Sequence, residues 1–251
     1  VLIMIYKLEV IAFNIESCLL VQKAGAHRIE LCDNPGEGGT TPSYGFLKKA
    51  REHVSIDLFP MIRPRGGDFF YSDDEFEIMK EDVLRCKELK CDGVVFGLLN
   101  ADGTVDKKRS AELVELAYPM GVNFHRAFDR TRDAFEALET IIDIGCERIL
   151  TSGLSLNVSE GTSMLTKLVE AADNRIIIMP GCGIKSYNVK GIATQTRAVE
   201  IHTSAKKMAA SKMNYFNNQM KEDLQSAMAN EDEIRKILAE LESCNSYDPP
   251  L

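Results

Sequence analysis

The chain has 251 residues, a hydrophobic content of 45% and a formal net charge of -8. This length suits one large core, and single barrels of β/α units commonly reach it. The acidic balance argues against nucleic acid and anionic membranes as partners, because both are usually met with a basic face. No apolar run approaches the roughly 20 residues of a membrane span, so we expect no membrane partner.

The seven cysteines are odd in number and scattered along the chain, and no secretory signal precedes them. This usage is typical of a reducing compartment rather than of a disulfide framework. We therefore expect a cytoplasmic protein.

Between residue 7 and about residue 205, short apolar runs alternate with longer stretches of helical periodicity, which indicates parallel strands joined by helices. Eight such units without an interrupting linker favour a closed (β/α)8 TIM barrel of the α/β class. An open doubly wound sheet, which usually has six strands or fewer, is the alternative. The predicted strands are Lys7–Ala12, Arg28–Cys32, Ile56–Ile62, Gly93–Phe96, Val122–His125, Arg148–Thr151, Ile176–Met179 and Val199–Thr203.

Polar residues mark the predicted helix starts, because their side chains can accept hydrogen bonds from the first free N–H groups of a helix. Residues 206–229 lack periodicity and indicate a long loop after the last strand. An apolar stripe at residues 231–242 predicts the eighth helix, which would close a single domain spanning residues 1–251. The cap signals are Asn14, Thr41 before Pro42, Ser72 with Glu75, and Asn157 with Glu160.

An apolar run ends abruptly at Arg63 and Arg65, which are separated by Pro64 and followed by a Gly-Gly pair. Proline stiffens this segment and glycine permits a tight turn after it. We expect the two arginines to bind an anion. The alternative is that they pair with Asp68 and nearby acids to hold the loop.

Polar residues at the predicted strand ends indicate a site, because the functional groups of a β/α barrel lie at the carboxyl ends of its strands. Glu9 and Glu30 interrupt apolar strands, and a buried carboxylate needs a cation, for which Arg63 is the expected partner. His125 and His202 also fall at strand ends. Together these groups could supply a base, an acid and an anion clamp. Taken singly, each could be an internal salt bridge or a neutral ring bonded to a carbonyl.

The last three strands end in small residues that let backbone N–H groups approach a ligand. The loops after strands seven and eight are a frequent phosphate site in these barrels, although glycine also serves ordinary turns. The predicted anion-binding residues here are Ser152, Gly153, Gly181, Gly183 and Ser204.

Metal binding has less support from spacing. Cys86 and Cys91 span a helix end in a way that indicates packing rather than zinc binding. Cu(I) prefers soft thiolates, and Cys32 and Cys182 are the cysteines at the predicted mouth of the barrel.

Several segments, in order over about residues 8–205, resemble the CutC family. The resemblance implies a TIM barrel and a cytoplasmic copper homeostasis protein. It also implies copper binding by a cysteine near the end of strand one and another at the end of strand two. The matching segments are Arg28–Cys32, Glu37–Ser43, Met61–Asp68, Asn123–Asp129 and Leu150–Gly153, with the glycine loop at residues 181–183.

Of the two cysteine positions that the resemblance implies, the second is Cys32, whereas Ile11 occupies the first and removes a soft ligand. Cys32 would then bind copper with another sulfur or an imidazole, or with a cysteine of another subunit, and we expect a homo-oligomer. The alternative function is an enzyme or binding protein for a small phosphorylated or carboxylated compound. In that case Arg63 and Arg65 would clamp the anion, and Glu30 or His125 would move protons.

Overall fold

The structure is a computed structural model that describes residues 5–244. Eight short parallel strands alternate with helices, as the sequence predicts. Each strand is a largely buried run of apolar residues, interrupted where a polar side chain points into the barrel. The strands are β1 (Lys7–Ala12), β2 (Arg28–Leu31), β3 (Asp57–Pro60), β4 (Gly93–Phe96), β5 (Gly121–Phe124), β6 (Arg148–Thr151), β7 (Ile177–Pro180) and β8 (Glu200–Thr203).

The eight strands form a ring from two hydrogen-bonded halves, in the orders β3-β2-β1-β8 and β4-β5-β6-β7. A parallel bridge between Met61 and Val95 joins β3 to β4, and β7 lies beside β8 on the other side. The predicted (β/α)8 barrel is therefore confirmed, and the open sheet is excluded.

The helices pack their apolar stripes on the outside of this ring. In the third helix, Phe76, Met79, Val83 and Cys86 are buried, so the predicted core spacing is confirmed. Two short 3-10 helices, Pro35–Glu37 and Arg126–Arg130, follow β2 and β5. The α-helices are α1 (Ile15–Ala24), α2 (Tyr44–His53), α3 (Asp73–Glu88), α4 (Lys107–Ala117), α5 (Ala134–Asp143), α6 (Val158–Ala172), α7 (Val189–Thr196) and α8 (Glu231–Ser243).

Three of the predicted helix caps are confirmed, at Asn14, Asn157 and the capping box of Ser72 with Glu75. The cap predicted at Thr41 is wrong, since α2 begins after Ser43, whose side chain accepts a hydrogen bond from the N–H of Phe46. The hydroxyl of Thr41 instead accepts the backbone N–H of Arg63, at 2.9 Å. That contact ties the segment before α2 to the end of β3.

Residues 206–229 are not a structureless loop. Strands β9 (Lys206–Ala209) and β10 (Ser226–Ala229) pair as an antiparallel hairpin. The hairpin is attached to α1 because the hydroxyl of Ser17 accepts the N–H of Ala229 and the Asn14 amide donates to the carbonyl of Ala227. These contacts join residues more than 200 positions apart, so local periodicity could not indicate them.

The barrel interior contains a buried ion-pair layer centred on Arg28. Its Nε lies 2.5 Å from a carboxylate oxygen of Glu9, and its Nη2 lies 2.5 Å from one of Glu200. Arg148 contributes a second contact to Glu200, at 2.7 Å. The guanidinium of Arg28 also faces the ring of Phe59, 5.0 Å from its centre. Four charged side chains on four strands therefore neutralise one another inside the ring.

The predicted partner of the buried carboxylates was Arg63, and that prediction is wrong. Arg28 lies directly beside Glu9 in the register of β1 and β2, so its side chain reaches Glu9 within the barrel. Arg63 lies beyond the end of β3 and donates its terminal N–H groups to the backbone carbonyls of Glu37, Gly39 and Gly67.

Replacing Arg28 by methionine should destabilise the protein by about 3–5 kcal/mol, because two buried carboxylates would lose their shared cation. The measurement is the free energy of unfolding in urea at pH 7. The control is Arg175→Met, which removes the exposed ion pair with Glu139 and should cost at most about 1 kcal/mol. Equal losses in the two variants would contradict a structural role for the buried layer.

Candidate active site at the barrel mouth

A cavity of about 1050 Å³ opens at the carboxyl ends of the strands. Six of the predicted site residues line it, and both walls and floor carry polar side chains. Apolar side chains such as Ile11, Phe69 and Leu99 complete the lining. The six predicted residues are Glu30, Arg63, His125, His202, Gly183 and Ser204.

The other predicted anion-binding residues lie outside the cavity lining. The guanidinium of Arg65 pairs with Glu75 at 2.5 Å and with Asp68 at 2.9 Å, which is the structural alternative that the sequence left open. The backbone N–H groups of Ser152 and Gly153 donate to Asp129 and to the hydroxyl of Thr151. These donors therefore serve the turn after β6.

The backbone N–H of Gly181 is not available to a ligand, because it donates a hydrogen bond to the carbonyl of Thr151 at 3.0 Å. Gly183 is different, since it lines the cavity and adopts a φ of 89°, which a residue with a side chain rarely tolerates. Of the two predicted loop glycines after β7, only Gly183 therefore meets the cavity.

Glu9, which the sequence predicts as a catalytic group, is buried and does not line the cavity, and both of its oxygens have hydrogen-bond partners. One oxygen accepts from Arg28 and from the amide of Asn123, and the other lies 2.7 Å from Nδ1 of His202. Burial by itself raises the pKa of Glu9, but the charges of Arg28 and His202 outweigh it and hold that pKa at about 2. Glu9 is therefore an ionised support for the ring of His202.

Glu30 differs from Glu9 although both are fully buried. One oxygen accepts the thiol of Cys32 at 3.6 Å and lies 3.9 Å from Nε2 of His202. The other oxygen, Oε1, has no hydrogen-bond partner among residues 5–244. Burial raises the pKa of Glu30 to about 7, with His202 opposing and Glu9 adding to the effect. Glu30 can thus gain or lose a proton near neutral pH, as a general acid or base must.

His202 connects the two carboxyl groups. Its burial alone would lower its pKa, but Glu30 and Glu9 together raise that pKa above its ordinary value. Nδ1 is within hydrogen-bond distance of Glu9, whereas Nε2 lies 3.9 Å from Glu30 and acts on it through its charge. The positive charge of His202 stabilises the ionised form of Glu30.

His125 has the opposite electrostatic environment. Burial, with Arg63 as the second cause, lowers its pKa to about 3, so the imidazole is neutral at physiological pH. Its Nδ1 accepts the backbone N–H of Ala127 at 3.1 Å. The remaining proton must therefore be on Nε2, which is buried and has no partner among the described residues.

Three cations on the cavity wall were absent from the sequence prediction: Arg126, Arg130 and Lys206. Arg126 is held by Asp129 at 2.7 Å. The side chains of Arg130 and Lys206 are exposed and make no hydrogen bond or ion pair within residues 5–244. Arg130 ends the 3-10 helix that follows β5, and Lys206 begins β9, shortly after the end of β8. Their position in the segments after strand ends is the signal by which the sequence could have identified them.

Cys32 does not line the cavity. It is fully buried in a small apolar cluster with Ile11, Phe59, Met61 and Val95. Burial and the neighbouring Glu30 carboxyl raise the pKa of its thiol well above the ordinary value, which disfavours the thiolate that binds metals. As a Cu(I) site, these residues supply one protonated thiol and one thioether, from Met61.

Glu9, Glu30 and His202 could in principle hold a cation, because their ligand atoms lie within 4.8 Å of one another. Two carboxylates and an imidazole would suit a harder divalent metal rather than Cu(I). However, Arg28, Asn123 and His202 already use the oxygens of Glu9. The hydrogen-bonded arrangement therefore fits a shared proton better than a metal.

The fold and site define a β/α barrel with a buried acid-imidazole cluster beneath a wide mouth. The sequence pattern of the CutC family matches residues 6–207, and the chain belongs to that family. It is 50% identical to the family protein CutC of Chromobacterium violaceum over 208 residues, which cover 83% of this chain and 84% of that protein.

A human relative extends the comparison to animals. The human copper homeostasis protein cutC homolog is 44% identical over 213 residues, covering 85% of this chain and 78% of the relative. The crystal structure of CutC from Streptococcus agalactiae superposes with a TM-score of 0.76 at 36% identity, over 80% of this chain and 99% of that one. This agreement supports the barrel architecture independently.

Because of the raised pKa of Glu30, the free energy of unfolding of the protein should fall as the pH rises from 5 to 8. Its folded-state pKa of about 7 exceeds the ordinary value of 4.5, so its contribution is complete below pH 4.5 and is lost as the pH rises through 7. The raised pKa of His202 acts in the same direction. In the variant Glu30→Gln, the decrease in the free energy of unfolding between pH 5 and pH 8 should be smaller by about 2 kcal/mol than in the parent.

The measurement is urea unfolding at pH 5 and pH 8. Glu52→Gln, which alters a fully exposed carboxyl group, is the control and should match the parent. An equal fall in the parent and in Glu30→Gln would show that Glu30 ionises normally.

Proposed function

We propose that this protein binds a small anionic molecule at the barrel mouth and exchanges a proton with it through Glu30. The observation that supports the proposal is a set of three buried polar atoms that have no hydrogen-bond partner among residues 5–244, on three residues that line one cavity. They are Oε1 of Glu30, Nε2 of His125 and Nε of Arg63, on side chains whose residues are 2%, 3% and 6% exposed. Buried polar atoms are almost always hydrogen-bonded, so a ligand that bonds all three would satisfy them.

The three atoms define what the ligand must offer. Nε of Arg63 and Nε2 of His125 are donors, so the ligand presents acceptors to them. Glu30 accepts when ionised and donates when protonated, and it can therefore match either state of the ligand. The exposed cations Arg130 and Lys206 favour a negative charge nearer the rim.

A two-ended anion, 2-phosphoglycolate, tests this proposal by isothermal titration calorimetry at constant ionic strength. The double variant Arg130→Gln/Lys206→Gln should weaken binding at least tenfold, because it removes two exposed cations that line the cavity. The control double variant Lys167→Gln/Lys236→Gln changes the net charge equally, at exposed positions outside the cavity. If the parent does not bind the probe, or if the two double variants bind it equally, the proposal is wrong.

The same calorimetric titration tests whether Glu30 takes up a proton when the anion binds. A bound anion beside Glu30 should raise its pKa further, so binding at pH 7 should take up protons. Proton uptake is obtained from the binding enthalpy in buffers of different ionisation enthalpy. Uptake should be largely lost in Glu30→Gln; undiminished uptake in that variant would assign the proton to another group.

We propose copper handling as the second candidate function, with Cu(I) as cargo. It is supported by membership of the family and by the name of the human relative as a copper homeostasis protein. Within this chain it is favoured by the two sulfur atoms of Cys32 and Met61 in one cluster beside the cavity. The raised pKa of the Cys32 thiol weighs against it, because a proton would have to leave before copper binds.

Anaerobic competition with a chromophoric Cu(I) chelator tests this candidate. Cys32→Ser should weaken Cu(I) binding at least tenfold, whereas Cys182→Ser should leave it unchanged. Equal affinities in the parent and Cys32→Ser would contradict copper binding at Cys32.

We also propose a cytoplasmic location. It is supported by the free state of all seven cysteines, each of which lies within the described part of the chain. Among residues 5–244, no helix is long and apolar enough to span a bilayer.

A further inference from the structure

We propose that Glu30 and His125 form a pair that removes a proton from the carbon next to a carbonyl group, with Glu30 as the base and His125 as the donor to the carbonyl oxygen. The substrate class is a small aldehyde, ketone or 2-oxo acid that also carries a phosphate or carboxylate. This inference rests on the proposed function, because it assigns a reaction to the same cavity.

The tautomer of His125 is the first step of the argument. The N–H of Ala127 donates to Nδ1, so that nitrogen has no proton to offer. Nε2 therefore carries the proton; it is buried, it has no partner in the described part of the chain, and His125 is one of the residues that line the cavity. A neutral imidazole N–H is a donor that can polarise a carbonyl without giving up its proton to solvent.

The surroundings of His125 keep the ring neutral. Phe69 packs against it with 4.9 Å between the ring centres, and the guanidinium of Arg63 also contacts the phenyl ring, 4.9 Å from its centre. A second positive charge on His125 would thus lie in an apolar wall close to an existing cation. The low pKa of His125 agrees with this geometry.

Glu30 is placed to act as the base. It and His125 lie near the ends of β2 and β5, and both residues line the same cavity. One carboxylate oxygen is turned towards Cys32 and His202, and the other, Oε1, has no hydrogen-bond partner among residues 5–244, so we assign Oε1 as the base. His202 is a positioning residue in this arrangement, and Glu9 fixes its ring.

The proposed step conserves atoms and charge without a further reactant. Oε1 of Glu30 takes the proton from the α-carbon, and the C–H electron pair becomes the double bond between that carbon and the carbonyl carbon. The carbonyl π pair moves to the oxygen, where the negative charge is stabilised by the hydrogen bond from Nε2 of His125. Return of a proton from Glu30 to the α-carbon reverses the step, and in deuterium oxide it exchanges the α-hydrogen for deuterium.

The rim explains why the substrate should be anionic. Arg130 and Lys206, whose side chains have no ion-pair partner within residues 5–244, line the same cavity as the proposed pair. An anionic group bound at the rim would hold the carbonyl over Glu30 and His125, and such positioning contributes strongly to rate. Uncharged carbonyl compounds should therefore react less well than charged ones of the same size.

The tautomer can be tested in the parent protein without a substrate. In protein labelled with nitrogen-15, the His125 ring should remain neutral with its proton on Nε2 from pH 5 to pH 8. A ring that titrates within this range, or that carries its proton on Nδ1, would overturn the proposal. The ring signals are assigned by their loss in His125→Gln.

The reaction can be tested by hydrogen exchange in deuterium oxide, using pyruvate, 2-oxobutanoate and dihydroxyacetone phosphate as probes and proton NMR as the readout. With at least one probe, the parent should exchange the α-proton at least tenfold faster than Glu30→Gln. The rate should increase with pH through about 7, as Glu30 ionises. His125→Gln should also be at least tenfold slower, mainly in kcat.

Glu52→Gln and His53→Gln are the matched controls, because both alter exposed groups on α2 outside the cavity, and they should exchange like the parent. If no probe exchanges faster with the parent than with Glu30→Gln, the proposal is overturned. If the protein binds 2-phosphoglycolate but exchanges the α-proton of no probe, this inference alone is overturned. If it neither binds 2-phosphoglycolate nor exchanges an α-proton, the proposed function is overturned as well.

Discussion

The contact of Arg28 with Glu9 and Glu200 is the interaction on which the rest of the site depends. It places a cation from β2 between the buried carboxylates of Glu9 on β1 and Glu200 on β8, inside the barrel. Because the charge of Arg28 keeps Glu9 ionised, Glu9 can hold Nδ1 of His202, and His202 in turn faces Glu30. The mouth of the barrel is thus organised from the layer beneath it.

Glu9 and Glu30 show how environment gives two identical groups different chemistry. Both are fully buried on neighbouring strands, but Glu9 has strong donors at both oxygens, whereas Glu30 has a weak thiol donor and a more distant imidazole. Their pKa values are therefore driven apart, to about 2 and about 7. Such divergence between adjacent titratable groups is a common feature of sites that transfer protons.

The fold was largely predictable because its signals are local. Each predicted strand overlaps an observed one, and the capping side chains at Asn14, Ser72 and Asn157 bond to N–H groups within three residues. The two errors were non-local. The hairpin of β9 and β10 depends on contacts with α1, and the hydroxyl of Thr41 is bound by the distant backbone of Arg63.

The sequence by itself determined the alternation of strands and helices, and hence the barrel and the strand ends that bring Glu30, His125 and His202 to one mouth. Only the tertiary structure decided which cation each acid meets. Arg28 rather than Arg63 neutralises Glu9, and Arg130 and Lys206 line the cavity without an ion-pair partner among the residues that the structure describes. The physical reason is that periodicity and capping act within a few residues, whereas ion pairing and desolvation depend on distances set when the barrel closes.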